Sequence, residues 1–142
     1  MIVWIGKGLI LAMHDRQLAE HGGGGGLRDE GLLDSALAGP RQRHAYGDPP
    51  PGLAELAASL AFGLARNHPF VDGNKRIAAV ASETFLLLNG AELEVDDAEL
   101  FPIYMALADG RLGEAEIAAW LQQRVRLSPE NEVHEVAASY GS

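Results

Sequence analysis

The chain contains no cysteine, few aromatic residues and a minority of basic residues. The absence of cysteine excludes disulfides and thiolate chemistry. Aromatic residues make up 6% of the chain, and alanine and leucine dominate the apolar set, which favours helices. The 11 Lys and Arg residues against 20 Asp and Glu residues give a net charge of −9. A nucleic-acid-binding protein normally presents a basic face, so we expect no nucleic-acid partner.

Long apolar runs are also missing. The first apolar stretch, residues 2–13, is too short to span a bilayer and is interrupted by Gly6, Lys7 and Gly8. No secretory signal is visible, so we expect a cytoplasmic protein without a membrane partner. A hydrophobic content of 47% in 142 residues is enough for one domain with a buried core.

The N-terminal part contains two short patterns and a glycine run. Residues 1–5 suit a short strand, and apolar residues from Leu9 to Ala19 predict a helix that stops at His21. The glycine run of residues 22–26 favours a flexible connector over a phosphate-cradling loop, because no Gly-Lys-Ser/Thr follows it.

A second, short helix is predicted between Asp29, which can cap it, and Gly39-Pro40, which should end it. The proline-rich residues 40–52 then predict a surface loop or a small hairpin.

The clearest amphipathic helix follows. Apolar residues from Leu53 to Ala65 keep the i, i+3, i+4 spacing, and His68 continues this buried stripe at its C-terminal end. Pro69 and Gly73 prevent the helix from continuing.

Three more helices are predicted downstream, each with an apolar face and a plausible start or stop signal. The first covers residues 74–88 and the third covers residues 114–125. The second is capped by Asp96 or Asp97, runs through the apolar residues Phe101, Tyr104 and Met105, and ends at Gly110. Residues 1–127 then form the domain, and residues 128–142 form a polar, acidic tail that we expect to be peripheral.

Residues 68–76, His-Pro-Phe-Val-Asp-Gly-Asn-Lys-Arg, concentrate chemically useful groups. A helix that starts near Asn74, with Gly73 just before it, offers free N–H groups to an anion. Lys75 and Arg76 in its first turn oppose the helix dipole, so an anionic ligand is a reason for their presence. One arginine can bind two phosphate oxygens at once, whereas lysine acts as a point charge.

Two further residues of the run suit phosphoryl transfer. Asp72 is a hard oxygen ligand, and Mg²⁺ usually binds one or two carboxylates together with phosphate oxygens. His68 can accept a proton from an attacking hydroxyl, while Phe70 should anchor the loop by pointing inward. A base, a metal and positive charge around a phosphate are the recurring parts of such sites.

Each of these residues also has a purely structural interpretation when taken alone. His68 could be a packed core histidine, Asp72 part of a turn, and the cations a solvated pair. The remaining candidates for a metal site lack the paired helical spacing of zinc ligands, and we interpret them as surface or structural residues. They are His14, Asp15, His21 and His44.

The run resembles the signature of the Fic/Doc superfamily, His-x-Phe-x-Asp/Glu-Gly/Ala-Asn-Gly/Lys-Arg. Flanking segments within residues 5–125 resemble the death-on-curing (Doc) branch, and they are His14-Asp15, residues 27–29 and 31–37, Ala45-Tyr46 and residues 88–90. The resemblance implies an all-α fold, a compact bundle of about six helices in which the signature loop leads into a central helix.

The resemblance also implies roles for single residues. His68 matches the general base that deprotonates a Ser, Thr or Tyr hydroxyl, and Asp72 matches the magnesium ligand. Residues 42–51 stand where the family keeps its target-docking flap. The implied phosphate- and nucleotide-binding residues are Gly73, Asn74, Lys75 and Arg76.

Two positions bear on the reaction. AMP-transferring Fic enzymes usually carry glycine where this chain has Lys75, and a second arginine where it has Ala79. Both departures resemble Doc, in which ATP presents its γ-phosphate to the hydroxyl. A lysine side chain would also crowd the space that glycine leaves for the phosphate chain. We therefore expect a kinase, with AMP transfer and a catalytically silent binding module as the alternatives.

The Doc resemblance implies a toxin of a toxin–antitoxin pair that arrests translation. The implied target is elongation factor Tu, and the implied inhibitor is a Phd-like antitoxin whose C-terminal segment folds onto the toxin. Residues 128–133 fit the self-inhibitory pattern Ser/Thr-x-x-x-Glu-Gly/Asn except at its last position. Pro129 also disfavours an inhibitory helix there, so we expect inhibition by a separate protein.

Overall fold

The computed structural model describes residues 1–128. Apart from Ser128, the tail predicted for residues 128–142 lies outside the described residues. The described chain forms six α-helices and one pair of short strands, which confirms the predicted helical bundle. The elements are α1 Lys7–His21, α2 Glu30–Tyr46, α3 Leu53–Asn67, α4 Asn74–Leu88, β1 Ala91–Leu93, α5 Asp97–Ala108, α6 Glu114–Gln122 and β2 Val125–Leu127. None of these helices is long and apolar enough to cross a membrane.

Helix α3 lies at the centre of the bundle, where it packs against α2, α4, α5 and α6. Its residues Leu56 and Leu64 are fully buried, and each such side chain contributes roughly 1.5–3 kcal/mol of burial free energy. A Cβ at Gly63 would lie 3.0 Å from Ala36 Cα, so glycine at this position lets α2 and α3 approach closely. The central helix therefore holds the start of the predicted loop at a fixed place.

Helix α2 is longer than predicted. Asp29 caps it as expected, because its Oδ1 accepts a hydrogen bond of 3.0 Å from Leu32 N. The prediction that Gly39-Pro40 ends the helix is wrong, since α2 continues to Tyr46 and includes part of the segment predicted as a loop. Pro40 removes one backbone hydrogen bond, but its ring is buried, and packing compensates for that loss.

Helix α1 ends at His21 as predicted, with Gly22 N donating to Leu18 O at 2.7 Å. Its inward face differs from the expected one, because Ile10 and His14 are buried while Leu9 is 42% exposed.

The strand predicted for residues 1–5 is wrong. This segment is held by a side chain instead, because Val3 N donates to Asn89 Oδ1 at 2.8 Å and Asn89 Nδ2 donates to Val3 O at 2.9 Å. The pairing of β1 with β2, antiparallel with Ala91 opposite Leu127, was not predicted. Val125 belongs to β2, so the predicted extension of α6 to this residue is also wrong.

Candidate active site

The signature loop, residues 68–73, connects α3 to α4. His68 directly follows α3 and adopts the left-handed conformation, with φ 49° and ψ 57°. This conformation turns the chain away from the helix, and the His68 side chain is exposed. The prediction that His68 continues the buried stripe is therefore wrong, since the stripe ends at Ala65. An exposed imidazole at the start of the loop is accessible to a reacting group.

Arg28 fixes the backbone at this junction. Its Nε donates to His68 O at 2.6 Å, and its Nη2 donates to Asn67 O at 2.9 Å. A cation that binds the last carbonyls of a helix satisfies them and complements the helix dipole. Arg28 thus holds the backbone of the predicted base from outside the signature.

The interior of the loop is closed by Phe70 and Asn74. Phe70 is 1% exposed, which confirms that it points inward. Asn74 Nδ2 donates to Phe70 O at 2.9 Å, and Asn74 Oδ1 accepts from Phe70 N at 3.0 Å. The Asn74 side chain is buried and committed to the loop, so its backbone N–H is what remains for an anion.

The glycine run forms one wall of the site. Val71 N donates to Gly26 O at 3.1 Å, and Pro69 O accepts from the N–H groups of Arg28 and Asp29. A Cβ at Gly23 would lie 2.7 Å from Asp72 Oδ2, so the backbone here approaches the carboxylate closely. The run was predicted only as a connector, and the structure places it against the signature loop.

Asp72 is held at two points. Its Oδ1 accepts from Gly73 N at 2.8 Å, and its backbone oxygen bonds to Nε2 of His14 at 2.7 Å. The His14 ring is buried and stacks on Phe70, with ring centroids 3.7 Å apart. From the sequence we interpreted His14 only as a surface or structural residue, although a histidine among apolar residues of a helix is a signal that could have found it.

Helix α4 begins at Asn74 as predicted. Gly73 precedes it with φ 80°, a conformation that glycine adopts without strain. The N–H groups of Asn74, Lys75 and Arg76 form the first turn, and within residues 1–128 they find no hydrogen-bond acceptor. These donors, with the positive end of the helix dipole, form the anion site that the sequence predicted.

These residues surround a cavity of about 600 Å³, a size typical of small-molecule sites. It contains every predicted site residue together with residues from α1, the glycine run and α5. The lining residues are His21, Gly22, Gly23, His68, Val71, Asp72, Gly73, Asn74, Lys75, Arg76, Phe101, Tyr104 and Met105.

The two cations at the start of α4 differ in their partners. Lys75 Nζ lies 3.8 Å from Asp109 Oδ1, and Asp109 also pairs with Arg111 at 3.2 Å. Arg76 is exposed and has no ion-pair partner in the described part of the chain. Arg76 is therefore the cation that can bind an anion without first leaving a carboxylate.

Helix α5 contributes an apolar rim. Phe101 is 54% exposed and Met105 is 45% exposed, so both apolar side chains of this predicted helix reach solvent. The buried residues of α5 are instead Leu100, Tyr104 and Leu107. An apolar rim beside an anion site suits a ligand that carries both a phosphate and a flat ring.

The Tyr104 hydroxyl is buried and has no hydrogen-bond partner among the described residues. Burial raises the pKa of this phenol well above its ordinary value, so it stays protonated. The neighbouring Ser82 donates its own proton to Ala78 O.

One carboxylate is available for a metal at the cavity, that of Asp72. Residues 1–128 contain no group of three His, Asp or Glu side chains that could hold a metal ion. Asp72 Oδ2 is not used by the hydrogen bond from Gly73, and a single carboxylate with ligand phosphates suits Mg²⁺. The donor set therefore fits Mg²⁺ bound together with a phosphate ligand.

The segment predicted to hold the docking flap, residues 42–51, does not line the cavity. His44 contacts Trp4 at 5.5 Å between ring centroids, and Trp4 stacks on Phe85 at 6.0 Å. Phe85 lies 11 residues along α4 from Asn74, which corresponds to about 16 Å at 1.5 Å per residue. This segment therefore lies toward the other end of α4.

Comparisons with known proteins support the same interpretation of the motif. Residues 4–86 match the Fic/DOC family. The chain is 54% identical over 71 residues to the Toxin Doc of Mycolicibacterium smegmatis, covering 49% of this chain and 54% of that protein. It is 30% identical over 114 residues to the Protein kinase doc of Escherichia phage P1, covering 80% of this chain and 89% of that protein. The match therefore spans about half the length of the first relative and most of the second.

Proposed function

The chain belongs to the Fic/DOC family, and on that premise we propose that it is a Doc-type toxin with protein kinase activity. It would transfer the γ-phosphate of ATP to a Ser or Thr hydroxyl of a protein, with elongation factor Tu as the proposed target. The observation that carries the proposal is a cavity that brings an exposed histidine, a carboxylate and a free helix N-terminus together. The name of one relative, Toxin Doc, supports the toxin role, and the name of the other, Protein kinase doc, supports the kinase activity.

His68 is the proposed general base. The hydroxyl oxygen attacks the γ-phosphorus, the bond from that phosphorus to the β,γ-bridging oxygen breaks, and ADP leaves. The hydroxyl proton goes to the His68 imidazole. The exposure of His68 and the fixing of its backbone by Arg28 support this role, because a base must reach the attacking group in a defined position.

The first turn of α4 is the proposed phosphate site. Within residues 1–128 the N–H groups of residues 74–76 have no acceptor and Arg76 has no ion-pair partner, so they offer donors and positive charge beside Gly73. Preorganised donors of this kind stabilise charge that develops on the transferred phosphoryl group. Asp72 would hold Mg²⁺ at the phosphates, and the ion would neutralise part of their charge.

The orientation of ATP decides between phosphate and AMP transfer. Lys75 lies at the cavity, where its side chain occupies space that a glycine would leave open. Ala79 has no charge to clamp the phosphate chain. These two residues favour the orientation of ATP in which its γ-phosphate faces the hydroxyl. The relative named as a protein kinase, which aligns with most of this chain, supports the same orientation.

The proposed biological role is arrest of translation in the cytoplasm, held in check by a Phd-like antitoxin. The support is the name of the first relative, Toxin Doc, and the incomplete self-inhibitory pattern at Ser128. Co-expression with the protein encoded in the adjacent reading frame should relieve growth arrest if that protein is the antitoxin.

The test uses the full chain, Mg²⁺, elongation factor Tu and ATP labelled on either the α- or the γ-phosphate. Label passing to the factor from the γ position alone supports the kinase. Transfer from the α position would show AMP transfer instead, and no transfer to this or any other protein would favour a silent binding module.

A matched pair of variants assigns the base. We expect His68→Ala to abolish transfer and growth arrest while the protein stays folded. His44→Ala is the control, since His44 is also exposed but contacts Trp4 away from the cavity. Full activity in a stably folded His68→Ala protein would exclude His68 as the base.

A further inference from the structure

We infer that His14 is a positioning residue that sets the place of Asp72 and, through it, the metal affinity of the site. The inference rests on the proposed function, because it concerns the residue proposed to hold Mg²⁺. His14 belongs to α1, more than fifty residues before the signature loop, and it does not line the cavity.

The contact between the two residues is short and shielded. His14 is 1% exposed, and its Nε2 lies 2.7 Å from Asp72 O. A backbone carbonyl only accepts hydrogen bonds, so the proton must be on Nε2. The geometry therefore assigns one tautomer to His14, which a spectroscopic measurement can check.

The imidazole is itself held in one orientation. Its ring stacks on Phe70 with centroids 3.7 Å apart and planes 11° from parallel. Phe70 is in turn fixed by the two hydrogen bonds to Asn74. A ring locked in this way directs its N–H at one point, and that point is the Asp72 carbonyl.

In the part of the chain that the structure describes, the Asp72 backbone has few other anchors. Val71 and Asp72 are exposed, and the hydrogen bond that reaches the Asp72 side chain comes from its own neighbour, Gly73. The bond from His14 is thus the contact that ties Asp72 to the core of the bundle. Groups that orient metal ligands in this manner typically change metal affinity or activity about 10–100-fold when they are removed.

The position of Gly73 supports the same role. A Cβ at Gly73 would lie 3.5 Å from His14 Nε2, an ordinary van der Waals distance, so the residue before α4 lies beside the imidazole. His14 therefore supports both the carboxylate and the start of the anion site. A histidine that only filled volume would not need a polar atom aimed at this backbone.

Two variants separate positioning from packing. His14→Phe keeps an aromatic ring to stack on Phe70 but removes the donor. His14→Gln loses the ring but places an amide N–H at a similar reach to Nε2. We expect His14→Phe to lose function and His14→Gln to recover a large part of it.

The primary readout is binding of Mn²⁺, used as a spectroscopic substitute for Mg²⁺, to the full chain with a non-hydrolysable ATP analogue. Electron paramagnetic resonance measures the free ion, and Asp72→Asn provides the reference for loss of the ligand. We expect about 10–100-fold weaker binding in His14→Phe and a smaller loss in His14→Gln. Nitrogen NMR of labelled histidine should show His14 with its proton on Nε2.

The outcomes separate this inference from the proposed function. Wild-type Mn²⁺ affinity in a folded His14→Phe protein, or an Nε2 that carries no proton, would overturn the positioning role alone. Equal losses of Mn²⁺ affinity and thermal stability in both variants would also overturn it, since they indicate packing. If the wild-type chain binds no Mn²⁺ with the nucleotide, the proposed metal site fails, and nothing is left for His14 to position.

Discussion

The side-chain amide of Asn74 binds both backbone groups of Phe70, with Oδ1 3.0 Å from Phe70 N and Nδ2 2.9 Å from Phe70 O. This paired contact resembles the exchange of hydrogen bonds between two strands, but one partner is a side chain. It closes the loop across four residues and ends at the first residue of α4. Asn74 therefore builds the loop, while its backbone N–H belongs to the anion site.

The first prediction concerns the stability of this loop. Asn74→Ala leaves the buried N–H and C=O of Phe70 without partners, so we expect the free energy of unfolding to fall by about 1–3 kcal/mol. Urea denaturation followed by circular dichroism measures the change. Gln122→Ala is the control, because Gln122 is an exposed helical amide, and its loss should stay within about 0.5 kcal/mol. Equal stability of the two variants would contradict the structural role of the amide.

The second prediction uses two glycines of the same run. Gly23 has φ 121° and Gly26 has φ 101°, so an alanine at either position strains the backbone. Only at Gly23 does the added Cβ meet Asp72 Oδ2, at 2.7 Å, whereas the space around Gly26 is open. We expect both variants to lose similar stability and only Gly23→Ala to lose Mg²⁺-dependent activity, by about 10-fold or more.

The measurement for these glycine variants is activity as a function of Mg²⁺ concentration, with unfolding curves taken alongside. A similar loss of Mg²⁺-dependent activity in Gly26→Ala would mean that backbone strain, and not the contact with Asp72, is responsible.

The third prediction concerns Lys75. Its ammonium group lies 3.8 Å from Asp109, and both side chains are 44% exposed. An exposed pair of this kind is worth at most about 1 kcal/mol. We expect Asp109→Asn to free Lys75 for phosphate and lower the KM for ATP up to about five-fold, with kcat unchanged.

The dependence of the KM for ATP on salt concentration tests the role of the pair of Lys75 and Asp109. Added salt should reduce the difference between wild type and Asp109→Asn, because screening weakens exposed charge pairs. Asp48→Asn is the control, since Asp48 lies outside the cavity.

In addition, Lys75→Gly should shift the product toward AMP transfer if this side chain sets nucleotide orientation. An unchanged product would assign the orientation to other groups.

The sequence predicted the parts of the molecule in which local signals agree with packing. Helices α3 and α4 follow from long apolar periods and clear stop signals, and the anion site follows from Gly73 before a helix start. The helix break expected at Pro40 failed because a buried ring compensates for one missing hydrogen bond. Strands β1 and β2 were not predicted because each has only three residues, too few to show a periodic pattern.

Within the site, the motif residues were found and their supports were not. His68 was assigned to the buried stripe because periodicity cannot show that the chain turns into the left-handed region at that residue. His14 and Arg28 act through contacts across 58 and 40 residues of sequence. Such contacts depend on how helices pack, so a local pattern can single out a residue such as His14 but cannot identify its partner.

The last prediction concerns pH and Glu83, a half-buried residue of α4. Burial, and secondly the charge of Asp97, raise the pKa of Glu83 above its ordinary value of 4.5. A raised pKa means that the folded state binds this proton more tightly than the unfolded state does. The stabilisation that this proton provides is complete below about pH 4.5 and is lost as the pH rises through the folded-state pKa.

At neutral pH the folded protein therefore carries an unfavourable charge at Glu83, and Glu83→Gln should remove it. We expect the variant to be more stable than the wild type at pH 7, by less than about 1 kcal/mol because solvent screens a group this exposed. The difference should shrink toward zero as the pH falls below about 4.5. Urea unfolding at several pH values measures it, with Glu92→Gln, an exposed carboxylate on β1, as the control. A stabilisation that persists unchanged in acid would show that charge at Glu83 is not its cause.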